Sequence, residues 1–236
     1  MSSRALVLSA VVVIATALGC AGPAAMASSP APVQVTGTQL ESALLAPTEF
    51  SQYTLVIRKF SSGSHLKHEP AVDHIATVSC KNLLLLFPGP GLGPTAYAGD
   101  YVAVTQPPVP TYAQSVFQFA RSSAATALYS QASAGYARCR SVTVQISSSP
   151  LVSETVHSVS KVLAGGHQAF AASMSETISK IAGRPGERLN EMVDLVVATD
   201  GANLFTVSRT CSGSPPATPA LSDVIEKLIA RVRALP

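Results

Sequence analysis

His65-Leu66-Lys67-His68-Glu69, followed by Asp73-His74, is the densest set of metal-ligating side chains in this sequence. Imidazoles and carboxylates converging on one point can hold zinc, so His65, His68 and His74 are the candidate ligands. The order HxxHE is neither the helical HExxH of metalloproteases nor its inversion. Gly63 and Pro70 oppose a helix here, so Ser61–Asp73 reads as a solvated polar loop and no metal or other cofactor is assigned. Ser158-Val159-Ser160-Lys161 fits SxxK, in which a lysine one helical turn away activates the serine. The SDN-like and KTG-like partners of that chemistry are missing, and the segment reads as a strand, which puts Ser158 and Lys161 on opposite faces. Pro88-Gly89-Pro90-Gly91-Leu92-Gly93-Pro94 lacks the Lys-Ser/Thr ending of a phosphate loop, and its prolines remove the backbone donors a phosphate needs. No catalytic residue is assigned.

The cysteines are informative through their compartment. Met1–Arg4 carries a positive charge, Ala5–Leu18 is a short apolar run, and small residues follow. That is the pattern of an export signal, too short to span a bilayer. Residues 1–27 are therefore expected to hold the signal peptide or lipobox, with cleavage before Cys20 or after Ala27. Gly19-Cys20 ends like a lipobox, although Ala17 and Leu18 depart from its usual pattern; Cys20 would then carry the lipid and become the N-terminus. Ala25-Met26-Ala27 fits ordinary cleavage after Ala27, with Cys20 discarded. The lipid-anchored form is the expectation and the secreted form the alternative. Cys80, Cys139 and Cys211 remain in the domain, and an oxidising compartment favours one disulfide plus one odd thiol.

Residues 28–35 (SSPAPVQV) read as a flexible tether, leaving 36–236 for the folded domain. Charged residues make up only 12% of the chain, which suits an exported β-rich domain better than a charged helical one. The net charge of +3 is spread without a basic stripe, so nucleic acid is excluded as a partner.

The elements follow from periodicity. Gln39–Leu45 reads as a short helix. Tyr53–Lys59, Tyr101–Thr105, Ser115–Phe119 and Val142–Ser147 read as strands. Ser122–Arg138 is an amphipathic helix with Ser122 as N-cap, its apolar face running from Ala125 to Cys139. Gly165-Gly166 separates Val156–Leu163 from His167–Met174, and Asp200-Gly201 separates Met192–Thr199 from Asn203–Arg209, giving two hairpins. Thr218-Pro219 opens a terminal helix with a stripe of Leu221, Val224, Ile225, Leu228, Ile229 and Val232. The class is α+β: a twisted antiparallel sheet with two helices packed on one face.

LLAPTEF (Leu44–Phe50), VSC (Val78–Cys80), YAGDYVAV (Tyr97–Val104), Val116–Cys139 and the closing hairpin with its terminal helix resemble the PknH-like extracellular sensor domain of mycobacteria. The resemblance implies a twisted antiparallel sheet, two helices and a cleft for an unidentified ligand. It implies a disulfide between Cys80 and Cys139. It also places the usual partner of Cys211 at Asp194, facing it across the last hairpin, so Cys211 is expected as a free thiol. The family's tryptophans are absent here. The function expected is a non-enzymatic sensor or binding domain of the cell envelope, membrane-bound through lipid, whose partner is an envelope ligand or protein. The alternative is an exported envelope hydrolase, metal-dependent or not.

Overall fold

The computed structural model describes residues 34–49, 56–63, 72–75, 93–104, 111–146, 151–179, 188–211 and 220–236. Nine strands form one antiparallel sheet among them. The strands are β1 (Val56–Gly63), β2 (Val72–Ile75), β3 (Ala96–Val104), β4 (Thr111–Gln118), β5 (Ser141–Ile146), β6 (Leu151–Ala164), β7 (His167–Ser179), β8 (Leu189–Asp200) and β9 (Asn203–Cys211). The helices are α1 (Gly37–Ala43), α2 (Ser122–Arg138) and α3 (Leu221–Arg233). The α+β class holds.

Strand order is β1-β3-β4-β9-β8-β7-β6-β5-β2. The chain leaves β4 through α2 and re-enters the sheet at β5. The meander β5 to β9 then returns to pair with β4, so α2 crosses strands that follow it in sequence. This connection decides the layering. Ala125, Leu128, Ala132 and Tyr136 of α2 pack with Phe117, Phe170, Leu195, Val197 and Leu204. The stripe of α3 packs with Leu40 of α1 and with Tyr112, Val116, Val196, Ala198, Phe205 and Val207. Adjacent residues of β8 serve different helices, so α2 and α3 lie on opposite faces. The expectation that two helices share one face is corrected here. Leu195–Ala198 is buried on both sides and consequently reads as an unbroken apolar run.

Local chemistry sets the helix ends. Thr36 and Gln39 form a reciprocal capping box at α1: the Gln39 N–H donates to Thr36 Oγ1 at 3.2 Å, and the Thr36 N–H to Gln39 Oε1 at 2.7 Å. The helix therefore starts before Gln39. The N-cap of α2 is Arg121 rather than Ser122, and that of α3 is Ala220 rather than a residue at Thr218; neither makes a side-chain cap bond.

Two buried glutamines of β4 fasten the N-terminal segment to the sheet. Gln114 donates from Nε2 to the Leu45 carbonyl at 2.9 Å and accepts from the Leu45 N–H at 3.1 Å. Gln118 accepts from the Val35 N–H at 2.9 Å, so Val35 is already attached to the domain. Arg231 of α3 reaches the same segment, 2.7 Å from Glu49 and 3.2 Å from the Leu44 carbonyl.

The β6–β7 turn is Gly165-Gly166, with φ of +56° and +82°, as a two-residue primed turn requires. In the second hairpin Asp200 pairs with Asn203, so the turn residues are Gly201-Ala202 rather than Asp200-Gly201. Asp200 is thereby freed to accept two hydrogen bonds from Arg233, at 2.6 and 2.9 Å.

One irregularity matters for every site below. The register of β6 against β7 shifts between Val156 and Ser158. Val156 faces Met174 on the α2 side, and beyond the shift Val159 faces Ala172 on that same side. The extra residue at His157 reverses the parity of all that follows.

Candidate functional site

Because of that bulge, the odd residues Lys161 and Leu163 face α2, while Ser158 and Ser160 face the α3 side. Ser158 and Lys161 are accordingly on opposite faces, and the SxxK pattern assembles no nucleophile. His74 lies on β2, paired with Gln145, and the two ends of the expected Ser61–Asp73 loop, Ser61–Gly63 and Val72–Asp73, are strand. His65 and His68 lie outside the described residues, as do Cys20, Cys80, the segment Pro88–Leu92 and the export signal. Among the described residues no group of three or more His, Cys, Asp or Glu is placed to hold a metal ion.

A cleft of about 480 Å³ lies between α2 and the β6–β7 hairpin. One wall is Ser130, Ser133, Ala134 and Ala137, which recur at i, i+3, i+4 and i+7 along α2. Their small side chains leave room between helix and sheet. The other wall is Lys161, Leu163 and Gln168. Tyr129 closes one end. Its ring lies 5.6 Å from that of Phe170, and Tyr136, two turns on, stands 5.7 Å from Phe170, so three aromatics anchor α2 to the strands. Burial raises the Tyr129 pKa, which keeps its phenol protonated and able to donate. Leu163 is 72% exposed, the one large hydrophobic side chain so open among the described residues. An exposed leucine beside a lysine, facing a wall of small residues, can take an apolar chain and an anionic head together.

A second feature is electrostatic. Glu154, Glu176 and Glu191 stand directly opposite one another on β6, β7 and β8. Burial first, then the neighbouring Glu154 and Glu191, lift the Glu176 carboxyl to about 7. Burial raises Glu154 as well. Tyr136 is pushed far up by burial and by Glu154. Like charges directly opposite on a sheet destabilise it, and protonation of the central carboxyl relieves that.

The odd cysteine is placed differently from expectation. Cys211 faces Met192, and Asp194 faces Arg209, with Arg209 Nη2 donating to Asp194 Oδ2 at 2.8 Å. The family resemblance put Asp194 opposite Cys211; the observed register is two residues away from that. Cys211 is 3% exposed, with Sγ 3.9 Å from the Met192 carbonyl. Burial raises its thiol pKa, partly offset by Arg209 and reinforced by Asp194 and Glu191. A buried thiol with a raised pKa is a poor nucleophile. Iodoacetamide should therefore label Cys211 at least ~10-fold more slowly in the native protein than in denaturant. Equal rates would refute this burial.

No protein-family model matches the chain, and no curated protein matches it. Among solved structures, it is similar to the extracellular domain of PknH from Mycobacterium tuberculosis, with a TM-score of 0.59 at 14% identity over 84% of this chain and 97% of that one. A protein of Mycobacterium smegmatis also aligns, over 83% of this chain and 96% of that one, at 12% identity; its TM-score of 0.43 is too low to support an argument. The chain thus shares the fold of that extracellular domain. At 14% identity the likeness speaks to fold alone.

Proposed function

We propose that this chain is a non-catalytic sensor domain of the cell envelope that binds an amphiphilic envelope ligand in the cleft between α2 and the β6–β7 hairpin. The observation that carries this reading is the pairing of exposed Leu163 with Lys161 across from the small-residue wall of α2. The apolar part of a ligand would cover Leu163 and Ala134, and its acidic head would meet the Lys161 ammonium. The fold likeness to an extracellular domain supports export, with the export signal ending before Cys20 and the residues from there to Gln34 as spacer. In this reading Cys20 carries the lipid and Cys80 is bonded to Cys139, which caps the C-terminus of α2. The metal-dependent alternative draws on His65 and His68, and no described observation favours it.

Mass spectrometry of protein purified from its own envelope tests the proposal. The native spectrum should show a retained lipid-sized adduct, and the Leu163→Asp variant should lose most of it. The denatured mass should fit an acylated Cys20 N-terminus with Cys80 and Cys139 oxidised. A wild-type spectrum without adduct, or an adduct retained by Leu163→Asp, overturns the cleft assignment. An unmodified Ser28 N-terminus overturns the anchor.

A further inference from the structure

We propose that the opposite, α3-facing side of the sheet carries a second site, for a neutral polyhydroxylated ligand the size of one sugar ring. Ser158 faces Ser173, Ser173 faces Asp194, and Asp194 faces Arg209, so one polar rung runs in register across β6, β7, β8 and β9. Cβ atoms of directly opposed residues on one face lie about 4.5–5.5 Å apart, so neighbouring members of the rung can grip a single small molecule together. The rung borders a cavity of about 250 Å³ whose wall is the first turn of α3, with Ser222, and to which Ser160 adds another hydroxyl. Ala171 and Val196 give an apolar patch against which the C–H face of a ring can lie. The volume falls below the usual range for drug-sized ligands, which limits the occupant to about one ring.

Charge selects the class. Arg209 is 8% exposed and bound to Asp194 at 2.8 Å, so the pair presents a donor and an acceptor with no net charge. An anion entering the cavity would meet the Asp194 carboxylate, and a cation the Arg209 guanidinium. A hydroxyl satisfies both, donating to the carboxylate and accepting from the guanidinium. Serine hydroxyls do either. In a partly desolvated cavity such bonds are stronger than at an open surface. This site is independent of the α2 cleft, since it lies on the other side of the sheet.

The test uses the full exported chain and saturation-transfer NMR with glucose, galactose and myo-inositol, with inorganic phosphate as the anionic control. At least one of the three polyols should give a saturable signal, and phosphate should not compete with it. Ser160→Leu fills the cavity from an exposed position and should weaken that binding at least tenfold while the melting curve stays unchanged. Asp194→Asn should weaken it too. Leu163→Asp, which disables only the α2 cleft, should leave it intact. Silence from all three polyols, binding indifferent to Ser160→Leu, or displacement by phosphate would each overturn the proposal. None of these outcomes would touch the reading of the α2 cleft.

Discussion

Leu228→Asp should leave the chain unable to fold, giving aggregated protein with no cooperative melt. Leu228 is fully buried, with Leu221, Val224, Ile225, Ile229 and Val232 beside it on one face of α3. Burying each such side chain contributes about 1.5–3 kcal/mol, so the stripe as a whole is comparable with the ~5–15 kcal/mol net stability of a typical domain. An aspartate at the centre of the stripe loses the apolar contact and brings a charge with no partner into the core. The consequences spread, because α3 also holds the N-terminal segment through Arg231, which binds Glu49 and the Leu44 carbonyl. Lys227→Ala, on the exposed face of the same helix, should change stability by no more than about 0.5 kcal/mol. Circular dichroism and sedimentation of both variants decide the matter. A soluble Leu228→Asp protein that melts cooperatively would show that α3 does not complete the core.

The glutamate row should make the domain more stable in mild acid than in mild base. Glu176 has an ordinary value of 4.5 and is raised to about 7 in the fold. A group raised on folding binds protons more tightly in the native state, so stability falls as pH rises between those two values. Its contribution is fully present below about 4.5 and lost above about 7. At about 1.4 kcal/mol per pH unit the difference amounts to ~3 kcal/mol, reduced to about 2 because the side chain is partly solvated. Glu154 shifts in the same direction, from burial. Glu176→Gln removes the central charge of the row. It should stabilise the domain by about 2 kcal/mol at pH 8 and change it little at pH 4.5. Urea midpoints of both proteins at the two pH values test this, and the difference between proteins cancels the titration of unrelated groups. A variant equal to or less stable than wild type at pH 8 would refute it.

What the sequence determined by itself is what depends on neighbours along the chain. The α3 stripe recurs at helical spacing, so the six residues expected to be buried are buried. The bounds of α2 follow from the same periodicity, and the Gly165-Gly166 turn from the positive φ that only glycine adopts without strain. Local reading ended where competing local chemistry intervened. The capping box at Thr36 moved α1 forward, and Asn203 drew Asp200 out of the turn into a strand pair.

Tertiary structure decided the rest, because strand pairing joins residues far apart in sequence and a single inserted residue changes every face after it. The meander from β5 to β9 closes onto β4 and so carries α2 to the face opposite α3, which no helical period records. The bulge at His157 turns Lys161 and Leu163 toward α2 and sends Ser158 and Ser160 to the other side. The glutamate row and the Ser158–Ser173–Asp194–Arg209 rung exist only once the registers of β6 to β9 are set. In sequence these residues are isolated polar side chains with no common spacing. They become sites because a side-chain period of two, combined with one extra residue, fixes which of them share a face.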